Sequence, residues 1–174
     1  MFRIKGQSVF FSNLITAFFA QGISLLMSIF MSIIVPKFLS VTEYSYWQLF
    51  IFYVGYVGFF HFGFNDGIYL RLGGKCYDEL NFKQLGTELR IFIFIESIIA
   101  ILVAFIGFIG TNGLERKLIW LFVALYLVFN NLHLFFGYIF QAVNKTSIYS
   151  KSVIIDRFFV LIFITKKIDF ARDF

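Results

Sequence analysis

The feature that most constrains this chain is a run of 27 uncharged, mostly apolar residues, 9–35, that ends immediately before Pro36. As an α-helix with a rise of about 1.5 Å per residue, the run would be about 40 Å long, which exceeds the roughly 30 Å thickness of the hydrocarbon core of a bilayer. A signal peptide would have a shorter apolar core followed by a cleavage site of small residues. The run therefore predicts a tilted transmembrane helix.

Three further apolar runs are long enough to cross a membrane, and a fifth is not. We predict transmembrane helices over residues 44–64, 91–110 and 118–140 in addition to 9–35. The fifth run, 153–165, holds only 13 residues and is interrupted by Asp156 and Arg157. Only 14% of the chain is charged, against about 25% in soluble domains. We therefore expect an all-α, polytopic transmembrane helix bundle.

The basic residues near the ends of these runs predict the orientation. With the amino terminus in the cytoplasm, the inside segments carry nine basic residues and the first two outside turns carry three, as the positive-inside rule requires. The exceptions follow the fifth run, where Lys166, Lys167 and Arg172 would lie outside. We therefore expect residues 1–152 to hold four transmembrane helices with their connecting loops. We expect residues 153–174 to be an incomplete fifth helix and a truncated tail.

Several kinds of chemistry have no support in the sequence. Cys76 is the only cysteine, so neither an internal disulfide nor a paired Cys/His zinc site is expected. The two histidines, His61 and His133, are isolated, which argues against an enzyme. The segment 73–75, Gly-Gly-Lys, lacks the spacing of a nucleotide-phosphate loop. We expect no cofactor, no metal and no nucleic-acid partner.

Polar side chains recur at helical intervals within the predicted helices. A polar group at membrane depth usually faces protein or a water-filled cavity, so these residues are candidates for a polar substrate path: Gln21, Ser24, Ser28, His61, Asn65, Glu96, Asn130, His133, Gln141 and Asn144. The alternative is close helix packing, in which small and polar residues bond across the interface. A carboxylate at this depth favours the hydrated path, because it needs water or a partner.

Two quoted segments resemble a known family. "PKFLSVTEYSYWQLF" (36–50) and "GFNDGIYLRLGGKCYDEL" (63–80) are similar to the early helices of bacterial polysaccharide exporters. These exporters belong to the multidrug/oligosaccharidyl-lipid/polysaccharide flippase superfamily and move O-antigen or capsule repeat units. In that family the first helix ends in a proline and an "LS..EYG" turn, and the second exits through "G..DGI". Ser45 stands where the family usually has glycine.

The resemblance covers residues 1 to about 150 and implies the amino-terminal part of a flippase-like fold, inactive alone. It implies transfer of a polyprenyl-diphosphate-linked oligosaccharide across a bacterial inner membrane, with glycan-assembly proteins as partners besides the lipid bilayer. Asp66 joins the path candidates as a functional acid, or alternatively as a turn residue. Cations that would collect the diphosphate are Arg71, Lys75 and Arg90, which could instead be ordinary positive-inside anchors. Alternative functions are a drug/cation antiporter that couples through Glu96 and a non-transport membrane scaffold.

Overall fold

The structure is a computed structural model that describes the backbone of residues 2–172 and the side chains of residues 11–162. Across the described backbone there are six α-helices, two short 3-10 helices and no strand. The α-helices are α1 (Phe2–Phe38), α2 (Val41–Val54), α3 (Phe64–Leu72), α4 (Phe82–Gly110), α5 (Leu114–Ala142) and α6 (Thr146–Arg172). The 3-10 helices are Val57–His61 and Tyr77–Glu79. The predicted all-α class is confirmed.

Three helices of the described chain are long and apolar enough to cross a membrane: α1 over Phe11–Phe38, α4 and α5. A fourth crossing is formed if Val41–His61 and Phe64–Leu72 are counted as one bent span. A multi-pass membrane protein fits these lengths. The carboxy-terminal helix α6 starts at Thr146, seven residues before the apolar run from which a fifth helix was predicted. The side chains of the terminal basic residues used for orientation lie outside the described ones: Arg3, Lys5, Lys166, Lys167 and Arg172.

The helices extend beyond the apolar runs from which they were predicted. The first helix passes Pro36 and ends at Phe38, since a proline within the last turn removes only one backbone hydrogen bond. The fourth begins nine residues before the predicted residue 91, at Phe82. Asn81 caps this end, because its side chain accepts a hydrogen bond from the backbone N–H of Gln84 at 3.1 Å. These added turns are polar, so hydropathy alone does not find them.

The second predicted span is broken. After α2 the chain tightens into the 3-10 helix Val57–His61, and α3 is bent by 52° relative to the whole segment Val41–His61. Phe62 and Gly63 have φ angles of 46° and 77° and separate the two segments. Only glycine adopts such angles at little energetic cost, so Gly63 fixes the position of the break. The apolar run 44–64 predicts a helix end at residue 64, whereas in the structure α3 begins at Phe64 and continues to Leu72.

The chain forms two compact units. The terminal unit comprises Met1–Val41 and Asn144–Phe174, in which α1 packs on α6. Asn144 has a left-handed backbone (φ 58°), and its carbonyl and side-chain oxygens both accept from Asn13 Nδ2, at 3.0 and 2.9 Å. Asn13 Oδ1 in turn accepts from the backbone N–H of Ser147 at 3.3 Å. These bonds tie the start of α6 to α1.

The central unit, Thr42–Val143, is organised around α5, which contacts α3, α4 and the 3-10 helix Val57–His61. Its core consists of two apolar clusters. One includes Ile68, Phe92 and Phe135, and the other is built around Val57, Ala100 and Leu127. Beyond Ala100 on α4, α4 and α5 approach so closely at Gly107 that a methyl group there would lie 2.1 Å from Cγ of Trp120.

Candidate polar site at the helix break

Three fully buried polar side chains meet in the central unit. Asn65 belongs to the first turn of α3, Glu96 to α4 and Asn131 to α5, and each has 0% exposed surface. Buried polar groups are rare in an apolar interior because each must recover the hydrogen bonds that it would make with water. We name these three residues the polar triad.

Hydrogen bonds from Asn131 hold the triad together. Its Nδ2 donates to Glu96 Oε2 at 2.9 Å and to the carbonyl oxygen of Val57 at 3.2 Å. Asn65 Nδ2 donates to the backbone carbonyl of Asn131 at a longer 3.4 Å. Both sides of the helix break are therefore bonded to the same residue of α5, since Val57 precedes the break and Asn65 follows it.

The triad lies between the two apolar clusters. Along α4, Glu96 follows Phe92 by four residues and precedes Ala100 by four, and these neighbours belong to different clusters. The same arrangement recurs on α5, where Asn131 stands midway between Leu127 and Phe135. Glu96 is the central residue of α4, about 20 Å from either end at the rise of an α-helix. The polar layer thus sits at mid-height of a helix of membrane-spanning length.

The site offers more acceptors than donors. Glu96 Oε1 and Asn65 Oδ1 are buried and accept no hydrogen bond from any donor among the described side chains and backbone. A carboxyl group, amide oxygens and the carbonyls of a broken helix can bind a proton or a small cation, or hydrogen-bond a polar solute. Clusters of three or more His, Cys, Asp and Glu side chains suited to a metal do not occur among the described residues.

The structure brings together two of the predicted path residues, Asn65 and Glu96, and sequence reasoning missed the third member, Asn131. The predicted neighbour, Asn130, is half-buried and reaches the triad only through a 3.5 Å contact from its Nδ2 to Asn131 Oδ1. His133 is exposed on another face of α5. The signal that could have identified Asn131 is its position on an apolar stripe, four residues from both Leu127 and Phe135.

The other predicted path residues lie elsewhere. His61 Nδ1 accepts from the backbone N–H of Gly63 at 3.1 Å, so this nitrogen cannot also donate to the exposed Asp66, whose carboxylate is 3.7 Å away. Gln141 is half-buried in the last turn of α5. In the terminal unit, Gln21, Ser28 and the structural residue Asn144 are exposed, and Ser24 accepts from Arg157 Nε at 3.3 Å.

The predicted head-group cations do not form one cluster of hydrogen-bonded residues. Nη1 and Nη2 of Arg71 both donate to the carboxylate of Glu88, which also accepts from Gln84 Nε2 at 2.9 Å. Arg90 bonds within α4, to the carbonyl of Gly86 at 3.2 Å. Lys75 is exposed in the segment after α3. The Arg71–Glu88 pair joins the end of α3 to the first turns of α4.

No family model, curated protein or solved structure matches the chain. The resemblance to polysaccharide exporters stays a prediction from the two quoted segments. The functional argument therefore depends on the triad and on the break that it spans.

Proposed function

We propose that this chain belongs to a membrane transporter, and that the transported molecule is an oligosaccharide linked to a polyprenyl diphosphate. In this proposal the chain lies in the bacterial inner membrane with its amino terminus in the cytoplasm. It contributes to moving the lipid-linked sugar from the cytoplasmic to the outer leaflet for cell-surface polysaccharide synthesis.

The observation that carries the transport proposal is the buried polar triad on both sides of a broken helix. In a bilayer, irregular backbone is tolerated only where protein or a water-filled cavity satisfies its polar groups. Discontinuous helices with polar side chains near mid-height are typical of the solute and ion sites of transporters. A scaffold of packed helices has no need of Glu96, since an apolar residue would fill the same space without the desolvation cost of a carboxyl group.

The substrate class is taken from the resemblance of residues 36–50 and 63–80 to polysaccharide exporters, and the physical demands of such a substrate fit the chain. A sugar head group requires hydrogen-bonding groups along its route, while the polyprenyl tail can stay in the lipid. A diphosphate requires cations at the point of entry, for which Arg71 and Lys75 are suited by charge and exposure. The Arg71–Glu88 pair would have to exchange its carboxylate for a phosphate.

Deletion of the gene in its own host tests this function. The lipid-linked oligosaccharide should accumulate in the inner membrane, protected from a membrane-impermeant oxidant such as periodate added to spheroplasts. Restoring the complete gene should return the sugar to the accessible outer leaflet. If the deletion leaves outward transfer intact while efflux of small organic cations falls, the drug/cation antiporter is the correct alternative. If the deletion changes neither oligosaccharide transfer nor cation efflux, the chain is a non-transport membrane scaffold.

A further inference from the structure

Two buried oxygen atoms of the triad accept no hydrogen bond from the described residues, so the site needs an additional hydrogen-bond donor. Glu96 Oε1 and Asn65 Oδ1 are both acceptors that find no donor among the residues described by the structure. A buried acceptor without a donor loses the hydrogen bonds that water gives it in the unfolded chain, so two of them in one cluster destabilise the folded state. Both side chains bond to Asn131, one to its amide group and the other to its backbone carbonyl.

Turning the amides over does not supply the missing donor. Asn65 Nδ2 faces the carbonyl of Asn131, so exchanging its nitrogen and oxygen would set two acceptors against each other. Asn131 Nδ2 faces two acceptors, Glu96 Oε2 and the carbonyl of Val57. Its reversal would take the side-chain donor from both of these acceptors and set the oxygen of Asn131 against them. The orientation of each amide is therefore fixed by its partners.

The charged and titratable groups of the surrounding elements are engaged or exposed elsewhere. On the 3-10 helix, His61 accepts from Gly63, and on α3 Asp66 is exposed while Arg71 pairs with Glu88. On α5, His133 is exposed, whereas Asn131 two residues before it is fully buried. Among the described side chains no Lys, Arg or His forms an ion pair with Glu96.

We propose that Glu96 is a proton-binding site, in which one proton on Oε1 is donated towards Asn65 Oδ1. Uptake of the proton converts a carboxylate into a neutral carboxylic acid, so Oε1 changes from acceptor to donor, and Asn65 Oδ1 is the other triad oxygen that accepts no hydrogen bond from the described residues. A proton needs only one basic oxygen, whereas a metal ion needs several ligands, and Glu96 is the only carboxylate of the triad. Release of the proton returns a negative charge to the middle of the central unit.

Proton release has a structural consequence at the helix break. A carboxylate in this position needs water or a cation, and water can reach it only if the segments around Val57 and Asn65 move apart. Phe62 and Gly63, already in left-handed conformations between these segments, provide the hinge. In this proposal protonated Glu96 keeps the two segments of the broken helix packed together, and loss of the proton allows them to separate. We refer to this arrangement as the proton lock. As a mechanism of transport, this lock rests on the proposed function, but proton binding itself is a property of the purified chain.

Thermal unfolding of the purified full chain in detergent tests the proposal. If the folded state holds a proton that the unfolded state releases, stability decreases as the pH rises. Over the pH range in which Glu96 holds its proton in the folded chain and has lost it in the unfolded chain, the folding equilibrium constant of the wild type should fall about tenfold per pH unit. Glu96→Gln supplies the missing donor permanently through its amide, so this variant should lose that pH dependence and be at least as stable as the wild type. The control Glu115→Gln, at an exposed position in the first turn of α5, should follow the wild type.

Parallel pH profiles for the wild type and Glu96→Gln would overturn the proposal. So would stabilisation of the wild type, but not of Glu96→Gln, by sodium or potassium relative to choline at fixed pH, because the ligand would then be a metal cation. Infrared spectroscopy of the wild type is independent of how the variant folds: a buried protonated-carboxyl band at neutral pH is expected, and its absence refutes the assignment. These measurements involve no transport, so their failure and the failure of the proposed function are separate results.

Discussion

Replacing Asn131 by Leu removes the amide that bonds Glu96 and the segment before the helix break to α5, while the backbone carbonyl that accepts from Asn65 stays in place. The two side chains have similar volume and shape, so the main change is the loss of the amide. Glu96 Oε2 and the carbonyl of Val57 then lose the donor that lies at 2.9 and 3.2 Å in the wild type. We expect this variant to be less stable than the wild type and to unfold first around the break.

The size of the loss follows from the number of bonds. Side-chain hydrogen bonds in membrane proteins contribute on average about 0.6 kcal/mol and at most about 1.7 kcal/mol each. Two such bonds, both to buried acceptors, give a loss of about 1–3 kcal/mol in the free energy of unfolding. Asn130→Leu is the matched control, because its only hydrogen bond to the triad is the marginal 3.5 Å contact. It should cost about 0.5 kcal/mol or less.

Unfolding by sodium dodecyl sulfate in mixed micelles, followed by tryptophan fluorescence, measures both variants. Trp47 and Trp120 lie within the central unit, so the signal reports on the part of the chain that contains the triad. Equal losses for Asn130→Leu and Asn131→Leu, or no loss for Asn131→Leu, would refute the assignment of Asn131 as the link across the break.

Two further predictions concern packing and orientation. Gly107→Ala places a methyl group 2.1 Å from Trp120 Cγ, and such overpacking should cost about 1–3 kcal/mol in the same unfolding assay, whereas Gly110→Ala meets open space and should cause no loss. In a cysteine-free background, an impermeant maleimide added to intact cells should label Thr111→Cys but not Gln84→Cys, because the turn before α5 is predicted outside and the start of α4 inside; the opposite pattern would reverse the topology.

The sequence predicted the helical class because the bilayer leaves few alternatives. Every backbone polar group must be satisfied within a spanning segment, so long uncharged runs such as residues 9–35 can only be helical. Helix ends were less predictable, since hydropathy follows the apolar part of a helix alone. Residues 82–90 are polar yet helical, because Asn81 caps them and Arg71 pairs with Glu88 on the same stretch.

The position of the break and the identity of the buried asparagine depend on tertiary packing. Gly63, Asn65 and Gly67 could each interrupt a helix by local preference, and the structure uses Gly63 because Asn65 is held inside the core by Asn131. Similarly, Asn130 lies on the more polar stripe of α5, so the sequence pattern favours it over Asn131 as a path residue. The buried residue is Asn131, whose neighbours one turn away on both sides are apolar. A periodic pattern identifies a polar face, but it does not identify a single polar residue within an apolar one.

The most direct test of the account is the rate at which lipid-linked oligosaccharide reaches the outer leaflet in host cells carrying Glu96→Gln in the complete gene. The substitution preserves the shape of the side chain and the bond from Asn131 while removing the exchangeable charge. We predict that outward transfer, measured with impermeant periodate, falls at least about tenfold, with membrane abundance unchanged and with Glu115→Gln at the wild-type rate. Wild-type transfer in Glu96→Gln cells would contradict the claim that the polar triad operates the transport path.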